Sequence, residues 1–486
     1  MGDSELRYEQ VATHIRDQVR RGVLRPGERI PSVRALSRRL GVSVSTVVQG
    51  YGLLQDERLI EPRPQSGFFV RAQARRPPVP AMSRPNAHPV PVTVSEVALQ
   101  VVQAYHSPGV IQMGTALPRT DFPAVTQLHR ILASLARRSD PRLRDYDMPP
   151  GNHRLRLQIA RRAVDAGIAC TPDEVVVTNG CQEALVLCLR AVAEAGDTVA
   201  IESPAFFGTL QAIESLGLKA LEIPTDPRYG ISLDALRLAL EQWPVKAVLL
   251  TPNFSNPLGY CMSDARKGEL VALLESADVP LIEDDIYADL NYEGYRPRAA
   301  KAWDRSGQVL LCSSLSKTLD PGLRIGWALP GRYRDKVVHL KLVNSMASAT
   351  LPAYAAAEYL ESGGHDRHLR ALRKAYRERR DRFLELAQRL LPEGSRVTSP
   401  DGGFIAWVEL PQGTDAMALY HLAMQSGVSI APGPLFSSSG KYRSFIRLNF
   451  GQVGFESMAK GLSILRQQMD LPAPRERVGQ AETKRR

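Results

Sequence analysis

The sequence predicts an α/β protein in which a small winged helix-turn-helix head precedes a large body built on a mostly parallel sheet with helices on both faces. Two patterns predict this organisation. Residues 4–70 read as three short helices followed by a β-hairpin, and from about residue 97 onward helical segments alternate with short apolar strands. Between the two parts, residues 76–96 hold six prolines, which predict a semi-rigid spacer.

Length and composition limit the class of protein. The chain has 486 residues, of which 44% are hydrophobic, enough for two or three domains with a large core. No run approaches the roughly 18 apolar residues of a membrane helix, and residues 1–20 are charged throughout, so we expect a cytoplasmic protein. The five cysteines show no Cys-x-x-Cys spacing, which predicts free thiols and no metal site.

Positive charge is concentrated at the two ends of the chain. The formal net charge is +11, and residues 1–76 contain 14 Arg, no Lys and 8 acidic residues. Residues 471–486 contain five basic and two acidic residues and predict a disordered basic tail. An Arg-rich head suits contact with phosphates, although a merely solvated basic surface would give the same composition.

The elements of the head follow from local signals. Residues 4–21 form a first helix, because apolar side chains recur every four positions before a glycine. Residues 31–41 form a second, short helix between Pro-Ser and Gly. A tight turn then leads to a third helix capped by Ser43 or Ser45, and residues 59–70 form a hairpin wing around a polar turn.

Such a unit reads double-stranded DNA with its third helix in the major groove, while the second helix and the wing hold phosphates. We assign four polar residues to the groove face: Ser43, Ser45, Thr46 and Gln49. We assign four others to backbone contacts: Arg34, Arg38, Arg63 and Gln65. Each of these could equally be an ordinary surface residue.

The body is predicted from its strands. The clearest are five short apolar runs: Glu174–Thr178, Thr198–Ile201, Ala247–Leu250, Leu281–Glu283 and Val309–Cys312. Open α/β sheets place their ligands at the carboxyl ends of such strands, so the loops that follow them are the candidate site.

The most informative of these loops is residues 313–327. It carries Lys317, whose amine can form a Schiff base with a phosphorylated aldehyde. Ser314, Ser316 and Arg324 lie close in sequence and can take the phosphate. A solvated Lys/Arg loop is the alternative for this segment taken alone.

Two further loops suit a flat, phosphorylated ligand. Gly180, Cys181 and Gln182 join a strand to a helix, so their amides lie at a helix N-terminus where an anion binds well. Phe206 follows the next strand and can lay its ring over a flat cofactor, although an aromatic core residue would look the same.

Asn256 and Asp284 complete the pattern. Asn256 offers a hydrogen-bond donor to a phenolate oxygen. Asp284 stands at a strand end, where a buried carboxylate stays charged only beside a cation such as a protonated pyridine nitrogen.

The head resembles the winged-helix domain of GntR-type transcription regulators over residues 8–70. The matching motifs keep the family's order and spacing: Pro31-Ser32-Val33-Arg34, Gly41-Val42-Ser43, Ser45-Thr46-Val47, Tyr51, Leu54 and Ser66-Gly67-Phe68-Phe69-Val70. The head departs from the family at Val44, where Arg is usual, and at Gly50 within the third helix, which costs helix stability by roughly 1 kcal/mol.

The body resembles fold-type I pyridoxal-phosphate enzymes of the aspartate aminotransferase class over residues 106–466. The matching positions are Gly114, Tyr146, Gly151, Arg156, Gly180, Cys181, Gln182, Phe206, Asn256, Asp284, Tyr287, Ser314, Lys317, Arg324 and Arg447. The resemblance implies that pyridoxal 5'-phosphate is the cofactor and that Lys317 forms its internal aldimine.

The same resemblance implies the remaining roles. Asp284 would pair with the pyridine nitrogen, and Asn256 and Tyr287 would hold the ring oxygen, while Phe206 stacks on the ring. Ser314 and Arg324 would bind the phosphate. Tyr146 would reach the phosphate across the interface of a homodimer. Arg447, together with Gly114, would hold the α-carboxylate of the ligand.

A winged-helix head on an aminotransferase-like body resembles the MocR/GabR-type subfamily of GntR regulators. The implied domains are a DNA-binding head (1–75), a linker (76–96), a cofactor-binding body (97–470) and a tail (471–486). The implied function is a DNA-binding regulator that senses an amino acid or amine by external aldimine formation. A working aminotransferase with an appended head and a DNA-binding scaffold with an inactive body remain as alternatives.

Overall fold

The computed structural model describes residues 7–56, 59–63, 66–71, 77–94, 98–99, 101, 103 and 107–470. It divides into two compact units, Met1–Arg76 and Pro77–Arg486. None of the helices in these described ranges is both long and apolar enough to cross a bilayer. The predicted contact residue Gln65 and the predicted basic tail, residues 471–486, lie outside the described residues.

The first unit contains the predicted three helices and hairpin. Its elements are α1 (Arg7–Arg20), α2 (Val33–Leu40), α3 (Val44–Asp56), β1 (Ile60–Arg63) and β2 (Gly67–Val70). The strands are antiparallel and pair Ile60 with Val70. The core is formed by apolar side chains of all five elements, among them Ile15, Leu36 and Tyr51.

The caps of this unit are those that the sequence predicts. Ser32 Oγ accepts a hydrogen bond from the amide of Ala35 at the start of α2, and Gly41 ends that helix with φ of 64°. Ser43 Oγ accepts from the amide of Thr46 at the start of α3.

Gly50 has a packing role that its sequence context did not reveal. A Cβ at this position would lie 2.8 Å from both the carbonyl oxygen of Tyr8 and Cγ1 of Val11. The missing side chain therefore lets α3 approach α1 closely, and this packing offsets the low helix propensity of glycine.

Within its described residues, the second unit contains a nine-stranded sheet, a four-stranded sheet and a two-stranded sheet. Its strands are β3 (Val90–Pro91), β4 (Ile111–Gln112), β5 (Val176–Thr178), β6 (Thr198–Ser203), β7 (Lys219–Asp226), β8 (Gly230–Ile231), β9 (Val245–Leu250), β10 (Leu281–Asp284), β11 (Val309–Ser314), β12 (Gly326–Leu329), β13 (Arg396–Val397), β14 (Ile405–Glu409), β15 (Val428–Ser429), β16 (Ala431–Pro432) and β17 (Phe445–Asn449). The order in the large sheet is β3-β7-β6-β9-β10-β11-β12-β5, with β8 beside β7.

The large sheet is mostly parallel, as predicted. The pairs that join β7, β6, β9, β10 and β11 are all parallel, whereas β12 is antiparallel to both of its neighbours. The predicted strand Glu174–Thr178 begins later, at Val176, because Pro172–Glu174 form a 3₁₀ turn.

The helices of this unit are α4 (Pro123–Ala136), α5 (His153–Ala163), α6 (Cys181–Val192), α7 (Phe207–Ser215), α8 (Leu233–Gln242), α9 (Asp264–Ser276), α10 (Arg334–Ser345), α11 (Thr350–Glu361), α12 (Gly364–Leu390), α13 (Ala416–Gln425) and α14 (Phe455–Asp470). They cover both faces of the sheet. On β9, Val248 and Leu250 pack in the same cluster as α9, while Ala247 and Leu249 pack in the cluster of α6.

A smaller antiparallel sheet, in the order β13-β14-β17-β16, forms the predicted α+β part. The long helix α12 packs against it, with the rings of Phe383 and Phe450 stacked at 5.5 Å between centroids.

The prediction of a semi-rigid spacer over residues 76–96 is wrong for its described part, 77–94. Val90–Pro91 pair with β7 as an antiparallel edge strand, and Val92 and Val94 are buried in the cluster of α6. Ser83 is buried and accepts a hydrogen bond from the amide of Thr225 at 2.8 Å. Proline excludes these residues from a central strand but not from a sheet edge.

Candidate functional site

The loops after five strands of the large sheet meet at one edge. β5, β6, β9, β10 and β11 run in the same direction, so their carboxyl ends lie at the same edge of the sheet. Most of the predicted site residues follow these ends: Gly180, Cys181, Gln182, Phe206, Asn256, Asp284, Tyr287, Ser314 and Lys317.

Lys317 lies in the turn after β11 and is partly buried. Its Nζ donates a hydrogen bond to the carbonyl oxygen of Ala116 at 2.8 Å and lies 6.0 Å from the centroid of the Tyr287 ring. Burial, and then the positive charge of Arg447, lower the pKa of Lys317 to about 8, against an opposing attraction from Asp284. The neutral, nucleophilic fraction of this amine near neutral pH is therefore larger than that of a lysine with an ordinary pKa.

Asp284 is the last residue of β10 and is only 5% exposed. Its Oδ1 accepts a hydrogen bond from the thiol of Cys181 at 3.4 Å. Burial raises the pKa of Asp284 to about 6, although the thiol and the positive charge of Lys317 oppose this shift. A cationic ligand group beside this carboxylate would hold it in the ionised form.

Asn256 and Tyr287 are buried beside each other, with Asn256 Nδ2 3.5 Å from the Tyr287 hydroxyl. Burial raises the pKa of Tyr287, so this phenol remains a neutral hydrogen-bond donor at physiological pH. The amide and the hydroxyl together form a donor pair suited to a ligand oxygen.

A cradle for an anion lies at the start of α6. Gly180 has φ of 82°, and a Cβ there would overlap the guanidinium of Arg324. A Cβ at Gly326 would overlap the backbone at Gly180 and lie 2.7 Å from the amide nitrogen of Cys181. Glycine at both positions lets the helix N-terminus, strand β12 and the guanidinium come together.

Arg324 and two serines complete this cradle. Arg324 is exposed and donates from Nη2 to the carbonyl oxygen of Asn179 at 3.0 Å. In the described part of the chain no carboxylate forms an ion pair with this guanidinium. Ser314 and Ser316 are buried in the adjoining turn, where the Ser316 amide donates to Ser314 Oγ at 3.2 Å.

Phe206 lies just before α7 and is half-buried. A Cβ at Gly208 would overlap its ring, so this glycine leaves the space that the ring occupies. The ring of Phe207 lies 4.8 Å from that of Phe206, measured between centroids.

Arg447 is fully buried on β17. It donates from Nη1 to Asn256 Oδ1 at 3.1 Å and from Nη2 to the carbonyl oxygen of Gly114 at 2.5 Å, while Nε has no partner among the described residues. Burial lowers its pKa to about 10. A buried guanidinium without a carboxylate partner is suited to receive one from a ligand.

The segment 114–117 covers this region. A Cβ at Gly114 would lie 2.6 Å from the carbonyl oxygen of Ile430, so the segment can approach β16 only with glycine at this position. Asn449 Nδ2 donates to the carbonyl oxygens of Thr115 and Leu117 at 2.7 and 2.9 Å.

Several residues of the site were missed from the sequence. Asn449 holds the segment 114–117, and the rings of Phe207 and Phe436 lie 5.7 and 5.2 Å from the guanidinium carbon of Arg447. The signal for Asn449 was its alternation with Arg447 along β17, which places both side chains on one face of the strand.

Tyr146 is not brought to Lys317 within one chain. Its side chain is 70% exposed. Its predicted reach across a dimer interface stays a prediction.

Most of the predicted DNA-contact residues with described positions lie on the surface of the head, and Thr46 is half-buried. Ser43, Ser45 and Gln49 are exposed at the start of α3, and Ser43 Oγ lies 2.8 Å from Ser45 Oγ and 2.7 Å from Thr46 Oγ1. The other predicted contacts with described positions are exposed as well: Arg34, Arg38 and Arg63.

Two features of this surface were not predicted. Arg63 forms an ion pair with Glu61 at 3.1 Å, and its guanidinium carbon lies 4.4 Å from the centroid of the Phe69 ring. Val48, next to Gln49, is 53% exposed and adds an apolar contact of the kind that thymine methyl groups accept.

Comparison with known families identifies both units. The model for aminotransferase class I and II matches residues 109–461. The chain belongs to the class I and II aminotransferase family. The model for bacterial regulatory proteins of the gntR family matches residues 7–70, so this aminotransferase-family body carries a GntR winged-helix head.

Relatives match either nearly the whole chain or about three quarters of it. The HTH-type transcriptional regulators YjiR and YdcR of Escherichia coli, both described as uncharacterized, are each 40% identical, over 91% of this chain and 94% of their own lengths. Among solved structures, the multiple substrate aminotransferase of Thermococcus profundus is 30% identical with a TM-score of 0.70, over 77% of this chain and 94% of that one. The α-aminoadipate aminotransferase LysN of Thermus thermophilus, complexed with N-(5'-phosphopyridoxyl)-L-leucine, is 26% identical with a TM-score of 0.70, over 78% of this chain and 98% of that one. This family implies pyridoxal phosphate as the cofactor.

Proposed function

We propose that the chain is a pyridoxal-phosphate-dependent transcription regulator that senses an amino acid or related amine. The observation that carries the proposal is one chain that joins a GntR head to a body with a partly buried Lys317 and a buried Asp284 at one edge of the large sheet, and a buried Arg447 on β17. The E. coli relatives, which match over 94% of their own lengths, are named as transcriptional regulators, and this supports a regulatory function over that of a plain enzyme.

The residues present fit the cofactor. The amides at the start of α6, Arg324 and the two serines would hold its phosphate, and Asp284 would face its ring nitrogen. Asn256 and Tyr287 would donate to its ring oxygen, and Phe206 would cover the ring. When bound, the cofactor supplies an aldehyde for covalent attachment to an amine and a ring that withdraws electrons.

Lys317 would be the point of attachment, and an effector's amine would compete with it. The lowered pKa of Lys317, about 8, supports this exchange, because a less basic amine is the better leaving group when the effector's amine takes its place. Arg447 would bind the effector's carboxylate. Its Nη2, which donates to the carbonyl oxygen of Gly114 in this structure, would then donate to the carboxylate instead.

The head would convert effector binding into altered DNA binding. Two heads in a homodimer would occupy two half-sites, with the start of α3 in the major groove. Binding shifts such an equilibrium only by the effector's differential affinity for two arrangements of the dimer, so the loaded body must favour one arrangement of the heads. We expect the protein in the cytoplasm, where DNA is available.

A working aminotransferase is the second candidate, because the aminotransferase model covers most of the body and Lys317 could act as a proton-transferring base. The two functions are separated by one pair of assays on the cofactor-loaded protein. A DNA footprint upstream of its own gene is recorded with a panel of amino acids, and turnover of the same amino acids with a keto acid is followed.

An amino acid that alters the footprint but is converted slowly would support the regulator. Turnover at about 1 s⁻¹ or faster, together with an unchanged footprint, would instead establish the enzyme.

A further inference from the structure

His368 makes a contact next to the lysine that the proposed function does not use. It lies in the first turns of α12, is only 6% exposed, and its Nε2 lies 2.7 Å from the carbonyl oxygen of Thr318. A carbonyl oxygen only accepts, so Nε2 must carry the proton and donate it. Thr318 directly follows Lys317, so this hydrogen bond holds the turn that presents the lysine.

The surroundings of His368 favour this hydrogen bond to the carbonyl oxygen of Thr318. The ring of Phe122 lies edge-on at 5.3 Å, measured between centroids. Burial lowers the pKa of His368, so the ring is neutral at physiological pH and offers a single N–H. The hydrogen bond is therefore directional and buried, and its loss would leave the Thr318 carbonyl without this donor.

The helix that carries His368 also reaches the part of the body that holds Arg447. Fifteen residues further along α12, about 22 Å along its axis, Phe383 stacks on Phe450, which directly follows β17. Tyr376, between these points, packs on Phe404 at 5.1 Å, and Phe404 in turn lies 5.6 Å from Tyr287. One rigid helix thus contacts the lysine turn and the core beneath the arginine strand.

We propose that His368 is a positioning residue of the lysine site, which fixes Lys317 through the carbonyl of Thr318 and ties it to the helix that supports the Arg447 strand. This inference rests on the proposed function, because its effect is read from the cofactor attached to Lys317. It assigns His368 no contact with cofactor or effector.

The chain offers a matched control three residues earlier. His365 lies on the same helix, is 1% exposed, and is centred 6.2 Å from His368, but neither of its ring nitrogens has a partner among the described residues. Replacing His365 changes a buried histidine without removing a hydrogen bond from the lysine turn.

The experiment uses the full chain loaded with pyridoxal 5'-phosphate. The absorbance of the attached cofactor is titrated with pH in the wild type and in His368→Leu, His368→Gln and His365→Leu. We expect His368→Leu to shift the apparent pKa of the attached cofactor by about half a unit to one unit, since one buried hydrogen bond is lost. His368→Gln, whose amide can replace Nε2–H, should restore at least half of the shift, and His365→Leu should leave the value unchanged.

An unchanged pKa in His368→Leu, or equal shifts in all three variants, would overturn the inference. Should His368→Leu not fold, His368→Asn takes its place, because its shorter amide does not reach Thr318; identical titrations for Asn and Gln would then refute the role. A wild-type chain that shows no absorbance from attached cofactor would refute the proposed function itself, an outcome distinct from either of these.

Discussion

At the scale of single residues, the charge balance at Arg447 makes the sharpest prediction. Its guanidinium is fully buried, with carbonyl and amide oxygens as partners and with Nε free of any partner among the described residues. We expect Arg447→Ala to weaken effector binding by roughly 100-fold, since a bidentate charge-assisted pair is lost. Cofactor attachment should persist, as measured by absorbance, and the exposed Arg443→Ala should match the wild type in both assays.

Burial of the Asp284 carboxylate is expected to lower the stability of the cofactor-free protein, while its negative charge serves cofactor binding. Its pKa is raised to about 6 in the cofactor-free protein, so the folded state binds this proton more tightly than the unfolded chain. Its contribution to the free energy of unfolding therefore falls as pH rises from about 4 to about 6 and stays low above that. We expect Asp284→Asn to be more stable than the cofactor-free wild type by about 2 kcal/mol at pH 7.

The same substitution should abolish the stabilisation that added cofactor gives, because the ring nitrogen loses its anionic partner. Thermal unfolding of both proteins with and without the cofactor measures both effects. A variant that is less stable without cofactor, yet still stabilised by it, would contradict the burial argument.

Many residues of the site could be predicted because each follows a strand within a short motif. Lys317, Asp284 and Gly180 were predicted in this way, since the loops that follow parallel strands all lie at the carboxyl edge of the sheet. His368 and Phe207 contact Thr318 and Arg447, respectively, from 50 or more residues away in the chain, and local patterns do not encode such contacts. The lack of a carboxylate partner for Arg447 among the described residues is likewise a property of the folded interior.

At the scale of elements, helix α3 contains two glycines with opposite expected effects. A Cβ at Gly50 would lie 2.8 Å from the backbone of α1, whereas a Cβ at Gly52 would meet nothing within 4 Å. We expect Gly50→Ala to destabilise the head by about 1–3 kcal/mol through overpacking. Gly52→Ala should stabilise it by up to about 1 kcal/mol through helix propensity.

Chemical denaturation of the full chain, followed by a probe in the head, compares the two variants. Equal stabilisation by both substitutions would show that α1 and α3 are not in close contact. The sequence showed only the helical cost of Gly50, because the close approach depends on a partner helix about 40 residues away in the chain.

Substitutions on the second and third helices of the head should affect DNA binding in different ways. Arg34 is exposed on α2, and Thr46 lies at the start of α3, which enters the groove in this fold. We expect Arg34→Ala to weaken binding to all sequences and to lower its salt dependence by about one phosphate contact. Thr46→Ala should change sequence preference instead.

Binding of both variants to a specific and a random duplex, measured across salt concentrations, distinguishes these effects. Circular dichroism checks that each variant is folded. Parallel losses on both duplexes with Thr46→Ala would remove the support for its place in the groove.

At the scale of the whole molecule, the two units were predictable because their patterns differ in period and length. The boundary between the two units was less predictable. Proline content suggested a spacer over residues 76–96, but Val90–Pro91 pair at a sheet edge and Val92 and Val94 join a buried cluster. Composition shows only which structures a segment cannot form. The high proline content excluded a helix and a central strand here but not an edge strand.

The central claim is that one chain both attaches pyridoxal 5'-phosphate at Lys317 and binds DNA. The most direct measurement incubates the purified full chain with the cofactor, reduces it with borohydride and locates the cofactor by peptide mass spectrometry. We predict a stable phosphopyridoxyl group on Lys317 and none on Lys341, a buried lysine paired with Glu183. An unlabelled Lys317, or label spread over exposed lysines, would contradict the account.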